Sequence, residues 1–153
     1  MQTQSELAEQ TIRFMKLMPV NAEMELTLLK GHLLIEELLT EVLNLTIEEA
    51  NPVGIKVTQK MMFAQTLNLC WAKNSTAQNE LFWSSLKNLN SIRNAMAHEV
   101  EPKGIDLKVR KFTETVLPAS GFRRESYEGR ELLCSISWLY INLNAWLHAL
   151  KNS

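Results

Sequence analysis

Residues 21–46 read NAEMELTLLKGHLLIEELLTEVLNLT. Leu28, Gly31, Ile35, Leu38, Val42 and Leu45 recur along this stretch at steps of three and four, the spacing that brings side chains onto one face of an α-helix. Gly31 falls on that apolar stripe, where glycine costs about 1 kcal/mol of helix propensity relative to alanine. Close approach of a second helix is the expected offset. The segment therefore predicts a long amphipathic helix packed tightly against another.

The same period runs through the rest of the chain. Residues 4–17 predict a first helix, and Met61, Ala64, Leu67 and Trp71 mark a third. Phe82, Leu86, Leu89, Ile92 and Met96 mark a fourth that reaches about His98 before Pro102 disfavours further helix. Ile105, Val109, Phe112 and Val116 indicate a short fifth, and Leu132, Ile136, Leu139, Leu143, Leu147 and Leu150 a long sixth. Proline and glycine fall between these runs, at Pro19, Pro52 to Gly54, Pro102 to Gly104, Pro118 to Gly121 and Gly129. No segment alternates as a strand does. The expected fold is all-α, an up-and-down bundle of about five to six helices with the second, third, fourth and sixth at its core.

A chain of 153 residues with 46% apolar and 22% charged residues fits one globular domain, taken as residues 1–153. No run of apolar residues is long enough to span a bilayer, and the start MQTQSELAEQ lacks the layout of a secretory signal. A cytoplasmic protein with no membrane partner is expected. Cys70 and Cys134 lie in apolar helical segments without metal-ligand spacing, so both are read as buried free thiols and no metal or cofactor is expected. His32 is read as structural, and the four tryptophans as packing. No phosphate-cradling glycine loop, nucleophile elbow or helix-turn-helix pattern is present.

Charge is unevenly distributed although the net value is only −1. Residues 1–50 carry nine acids and three bases, residues 51–153 thirteen bases and eight acids. Within 103–130 seven bases face four acids, including Arg110, Lys111, Arg123 and Arg124. With Lys87 on the fourth helix, these are the candidate contacts to an RNA backbone.

The fourth helix ends in RNAMAH, residues 93–98. With about 100° per residue, Ile92 and Leu89 fall near Met96 on the core side, whereas Asn94 and His98 fall nearly opposite. Arg93 sits at the border, about 60° from Met96, from where a long side chain reaches the polar side. Glu80, Ser84, Lys87 and Ser91 share that polar strip, and Ala95 and Ala97 flank it with little bulk. Transesterification of RNA by its own 2′-hydroxyl uses such residue types. Histidine moves protons near neutral pH, and arginine holds phosphate oxygens without deprotonating. One chain brings one such histidine to the strip; two chains paired across it bring two. Of the adjacent Glu36 and Glu37, one can face Arg93 from the second helix.

This run, Arg93-Asn94-Ala95-Met96-Ala97-His98 after the apolar helix LFWSSLKNLNSI, resembles the signature of the HEPN superfamily, small helical domains with R-x4-6-H late in a helix. KGHLLIEELLTEVLNL and VTQKMMFAQTLNLCW also look similar to the superfamily's preceding helices, so the resemblance covers roughly residues 21–151. It implies a metal-independent endoribonuclease that acts as a homodimer in a toxin–antitoxin or anti-phage setting. Arg93 and His98 would be catalytic, with Asn94 supporting them. It also implies a cognate antitoxin or regulatory protein as partner, but the tyrosine that one toxin branch carries after its histidine is here Val100. The alternatives are a catalytically inactive module for dimerisation or protein binding, and a nucleic-acid-binding regulator using the basic 103–130 segment.

Overall fold

The computed structural model describes residues 4–49, 51–54, 61–74, 79–101 and 103–152. Its described residues form an all-α bundle of seven helices: α1 (Gln4–Leu17), α2 (Met24–Glu49), α3 (Phe63–Asn74), α4 (Glu80–His98), α5 (Ile105–Ser120), α6 (Arg124–Tyr127) and α7 (Glu131–Lys151). The six expected helices are all present. The addition, α6, is a single turn of four residues whose sequence RESY has no apolar period to betray it. No described helix is long and apolar enough to cross a membrane. Residues 57–60, the start of the stretch compared above with a superfamily helix, and Pro102, read as the stop of the fourth helix, lie outside the described residues.

The most extensive contact runs between α2 and α7, and it explains Gly31. A Cβ built on Gly31 would lie 2.7 Å and 2.8 Å from the Cγ2 and Cδ1 of Ile136, a residue with no exposed surface. The missing side chain is thus what lets α7 come this close. Gly31→Ala is expected to destabilise the fold: overpacking a stiff, buried β-branched neighbour costs about 1–3 kcal/mol, partly offset by about 1 kcal/mol of helix propensity. In the Gly31→Ala background, Ile136→Val should cost less than it does in the wild type. Denaturant unfolding of the four proteins measures that coupling, and strict additivity would refute the steric account.

The core is broader than expected. Leu28, Ile35, Leu39 and Val42 of α2 meet Leu67 of α3, Leu86 and Leu89 of α4, and Ile136, Leu139 and Leu143 of α7. Helix α5, expected to be short and peripheral, packs against both α4 and α7 and buries Phe112, Val116 and Leu117. It continues through Pro118 to Ser120 and stops at Gly121, whose φ of 72° is left-handed. Pro118 sits in the last turn and there removes only the donor to the carbonyl of exposed Glu114. Helix α1 contributes Phe14, stacked on Tyr140 of α7 with centroids 4.2 Å apart, and is tied to α2 by the exposed ion pair of Arg13 and Glu37, 3.0 Å.

Methionine and cysteine are not uniformly buried. Met18 is buried, whereas Met15 and Met62 stand in solvent, because α1 and the segment before α3 are covered on one side only. Cys70 is buried, its thiol pushed up to about 12 by burial, but Cys134 is only half-buried, beside the short α6.

Candidate functional site

Helix α4 begins at Asn79, whose side-chain oxygen accepts the backbone N–H of Phe82 at 3.0 Å, a cap worth about 1 kcal/mol. It ends at His98, with Glu99 in extended backbone (φ −126°, ψ 134°). Between these ends the covered sector of the helix changes. Trp83 has no exposed surface, held between Trp71 of α3 and Trp146 of α7 with centroids 6.2 Å and 5.5 Å away. Asn94 lies three turns on and nearly in line with it, yet is only half-buried, and His98 is exposed. Along the strip Glu80, Lys87, Ser91 and His98 are exposed and Ser84 and Asn94 half-buried, while the aromatic cluster covers the line through Trp83 at its border.

Arg93 and Asn94 are brought together, with Nη1 of Arg93 donating to Oδ1 of Asn94 at 3.3 Å. Lys87, Ser91, Ala97 and His98 are exposed around them. His98 makes no hydrogen bond or ion pair with the described residues. Arg93 is half-buried, and its Nε is enclosed without a partner. The stem thus turns toward the bundle while the end of the guanidinium meets Asn94.

On the inner side of Arg93 lies a cluster that the sequence did not connect to it. His32 of α2, only 2% exposed, holds its Nε2 against the Oδ1 of Asn90 of α4 at 2.9 Å, and its ring stacks on Phe63 of α3 at 4.3 Å. Its Nδ1 is 3.8 Å from Oε2 of Glu36 and has no hydrogen-bond partner. Of the two glutamates considered above, Glu36 therefore belongs to this cluster, whereas Glu37 turns to Arg13. A signal was available: Asn90 precedes Asn94 by one helical turn, and Glu36 follows His32 by one.

Burial pushes the His32 imidazole below its ordinary value, and the charge of Arg93 pushes the same way; the bond to Asn90 and the carboxylate of Glu36 oppose them. The folded chain then binds fewer protons here than the unfolded chain does. Stability from this group is fully present above about pH 6.5, the unfolded value, and is lost as pH falls from there through the folded value. Replacing His32 by Gln, which does not titrate, should flatten the unfolding free energy between pH 7 and 5. An unchanged slope would show that His32 titrates equally in both states.

The candidate RNA contacts do not form one surface. Arg110 and Arg124 line a groove of about 590 Å³ between α5, α6 and α7, but Asp106, Glu114 and Glu131 line it too. The groove is mixed rather than cationic. Arg123 and Arg124 border a shallower hollow beside it. Lys111, the residue after Arg110, is exposed and lies outside the groove lining, while Lys87 belongs to the α4 strip. Among the described residues no group of three or more His, Cys, Asp or Glu side chains is placed to hold a metal ion. No family model matches the chain, and no curated protein or solved structure is significantly similar to it.

Proposed function

We propose that the protein is a cytoplasmic, metal-independent endoribonuclease of HEPN type that acts as a homodimer in a toxin–antitoxin or anti-phage role. The observation that supports this reading is the end of α4, where Arg93 bonded to Asn94 at 3.3 Å sits about one turn from an exposed His98 that has no partner among the described residues. In the reaction the 2′-hydroxyl attacks the adjacent phosphorus, and the 5′-oxygen leaves. His98 takes or gives a proton, and Arg93, braced by Asn94, stabilises the charge on the phosphorane. A second chain apposed across the strip supplies the other histidine, so that one acts as base and one as acid. Lys87 lies on the same strip to meet a flanking phosphate.

The experiment is cleavage of single-stranded RNA by the purified chain in EDTA. Products ending in 2′,3′-cyclic phosphate and 5′-hydroxyl are expected, and a monomer at micromolar concentration or intact RNA would sink the reading. A second reading, a HEPN-type module without catalysis that docks another protein, is favoured by Leu26, Leu29 and Leu33. These form a row on one side of α2 and are 43%, 37% and 49% exposed. A stable complex lost on Leu29→Glu, with RNA left uncut, would establish it.

A further inference from the structure

The groove between α5, α6 and α7 runs along one helix. On α5 its lining falls into two rows, each stepping by four residues, so that they lie side by side down the helix. Val109, Thr113 and Leu117 make the inner row, with Thr113 and Leu117 buried. Asp106, Arg110 and Glu114 make the outer row, and all three are exposed. The outer row therefore reads negative, positive, negative at intervals of one turn. Among the described residues the side chains of Asp106, Arg110, Glu114 and, on the far wall, Arg124 make no hydrogen bond or ion pair. They remain uncommitted although Arg110 stands four residues from each carboxylate of its row, the spacing at which helical neighbours pair. A polyanion gains little here, since carboxylates share the groove with both arginines. A ligand that carries both signs in sequence gains more.

Spacing narrows the class. Four residues of helix advance about 6 Å, and two residues of extended chain advance about 6.6–6.8 Å, with successive side chains on opposite sides. An extended peptide laid along α5 thus meets the three charges with every second residue and turns the residues between them the other way. We propose that this groove is a docking site for an extended segment of a partner protein, about five residues long, in which basic, acidic and basic side chains alternate with apolar ones. The basic residues meet Asp106 and Glu114, the acidic residue meets Arg110, and the apolar residues lie over Val109, Thr113 and Leu117. The site shares no lining residue with the α4 strip, and the proposal does not rest on the endoribonuclease reading.

The test is fluorescence polarisation of a labelled, end-capped peptide, Lys-Leu-Glu-Leu-Lys, titrated with the full chain. Its charge order is the same from either end, so the direction of binding does not matter. Saturable binding that weakens with added salt is expected, with the inverted peptide Glu-Leu-Lys-Leu-Glu bound about tenfold less well. That factor is the scale of turning exposed ion pairs from attraction to repulsion. Arg110→Glu should weaken Lys-Leu-Glu-Leu-Lys by about the same factor. The wild type should prefer Lys-Leu-Glu-Leu-Lys to Lys-Leu-Lys-Leu-Lys, and Arg110→Glu should reverse that preference, which a general attraction of basic peptides to an acidic surface would not do. Should Arg110→Glu fail to fold, Glu114→Lys should weaken Lys-Leu-Glu-Leu-Lys likewise. Equal binding of the two inverted sequences, an affinity unmoved in both variants, or no binding at millimolar peptide would overturn the proposal. So would peptide-induced NMR shifts that fall on Leu26, Leu29 and Leu33 in place of α5.

Discussion

Replacing His98 by alanine is expected to lower RNA cleavage by about a hundred- to ten-thousandfold, the range that one positioned general acid or base contributes. Stability should move by no more than about 0.5 kcal/mol, as for other exposed positions without partners. The two halves of that expectation follow from different observations. His98 is the last residue of α4, is exposed and makes no hydrogen bond or ion pair with the described residues. No contact among the described residues depends on it. Arg93→Ala should also abolish cleavage, but with a measurable loss of stability, because its stem is half-buried against the bundle. Arg93→Lys should not restore activity, since an ammonium offers no planar fork to brace on Asn94 while holding phosphate. If the site is shared between two chains, an excess of the His98→Ala protein mixed with wild type should suppress cutting through mixed dimers. Activity in such mixtures that tracks only the amount of wild-type chain would point to a site complete within one molecule.

Trp83→Ala is expected to destabilise the protein by about 3–5 kcal/mol, which for a domain of this size lowers Tm by roughly 10 °C or more. Trp83 has no exposed surface and sits at the centre of an aromatic cluster, 5.4 Å from Phe82, 5.5 Å from Trp146 and 6.2 Å from Trp71. Its indole N–H is buried without a partner among the described residues, an arrangement that costs about 1–3 kcal/mol. Trp83→Phe removes that unsatisfied donor along with part of the ring, so it should cost far less than truncation. Calorimetry on the two variants checks the pair. Equal losses would mean that the N–H is not the burden the geometry indicates. Because Trp83 ties α4 to α3 and α7 through Trp71 and Trp146, the alanine variant should also loosen the helix that carries Arg93.

The helices were legible because six of them carry an apolar stripe, and Gly31 announced the tight α2–α7 contact through its place on one. Helix α6 was not legible, since four residues hold no period. The reach of α5 was hidden by Pro118, whose presence in a last turn removes one donor without ending the helix. At the site, the wheel put Asn94 and His98 on the polar side, and the structure agrees. It could not give Arg93 its inward stem, nor show that His32 and Asn90 meet across two helices, because both depend on tertiary packing. The wheel also leaves Trp83 and Asn94 nearly in line, whereas neighbouring helices cover Trp83 and leave Asn94 half open. Which part of a face is covered is a property of packing between helices, and local spacing carries no record of it.

The close seat of Ile136 on Gly31 has a consequence for the order in which the chain can finish folding. The two residues are separated by roughly a hundred positions, so the α2–α7 contact closes a long loop, whose entropy must be met before the contact rewards it. During synthesis α2 leaves the ribosome early, while the helix that covers Leu28, Ile35 and Val42 emerges much later. Until then α2 presents a bare apolar face, open to chaperones or to the wrong neighbour.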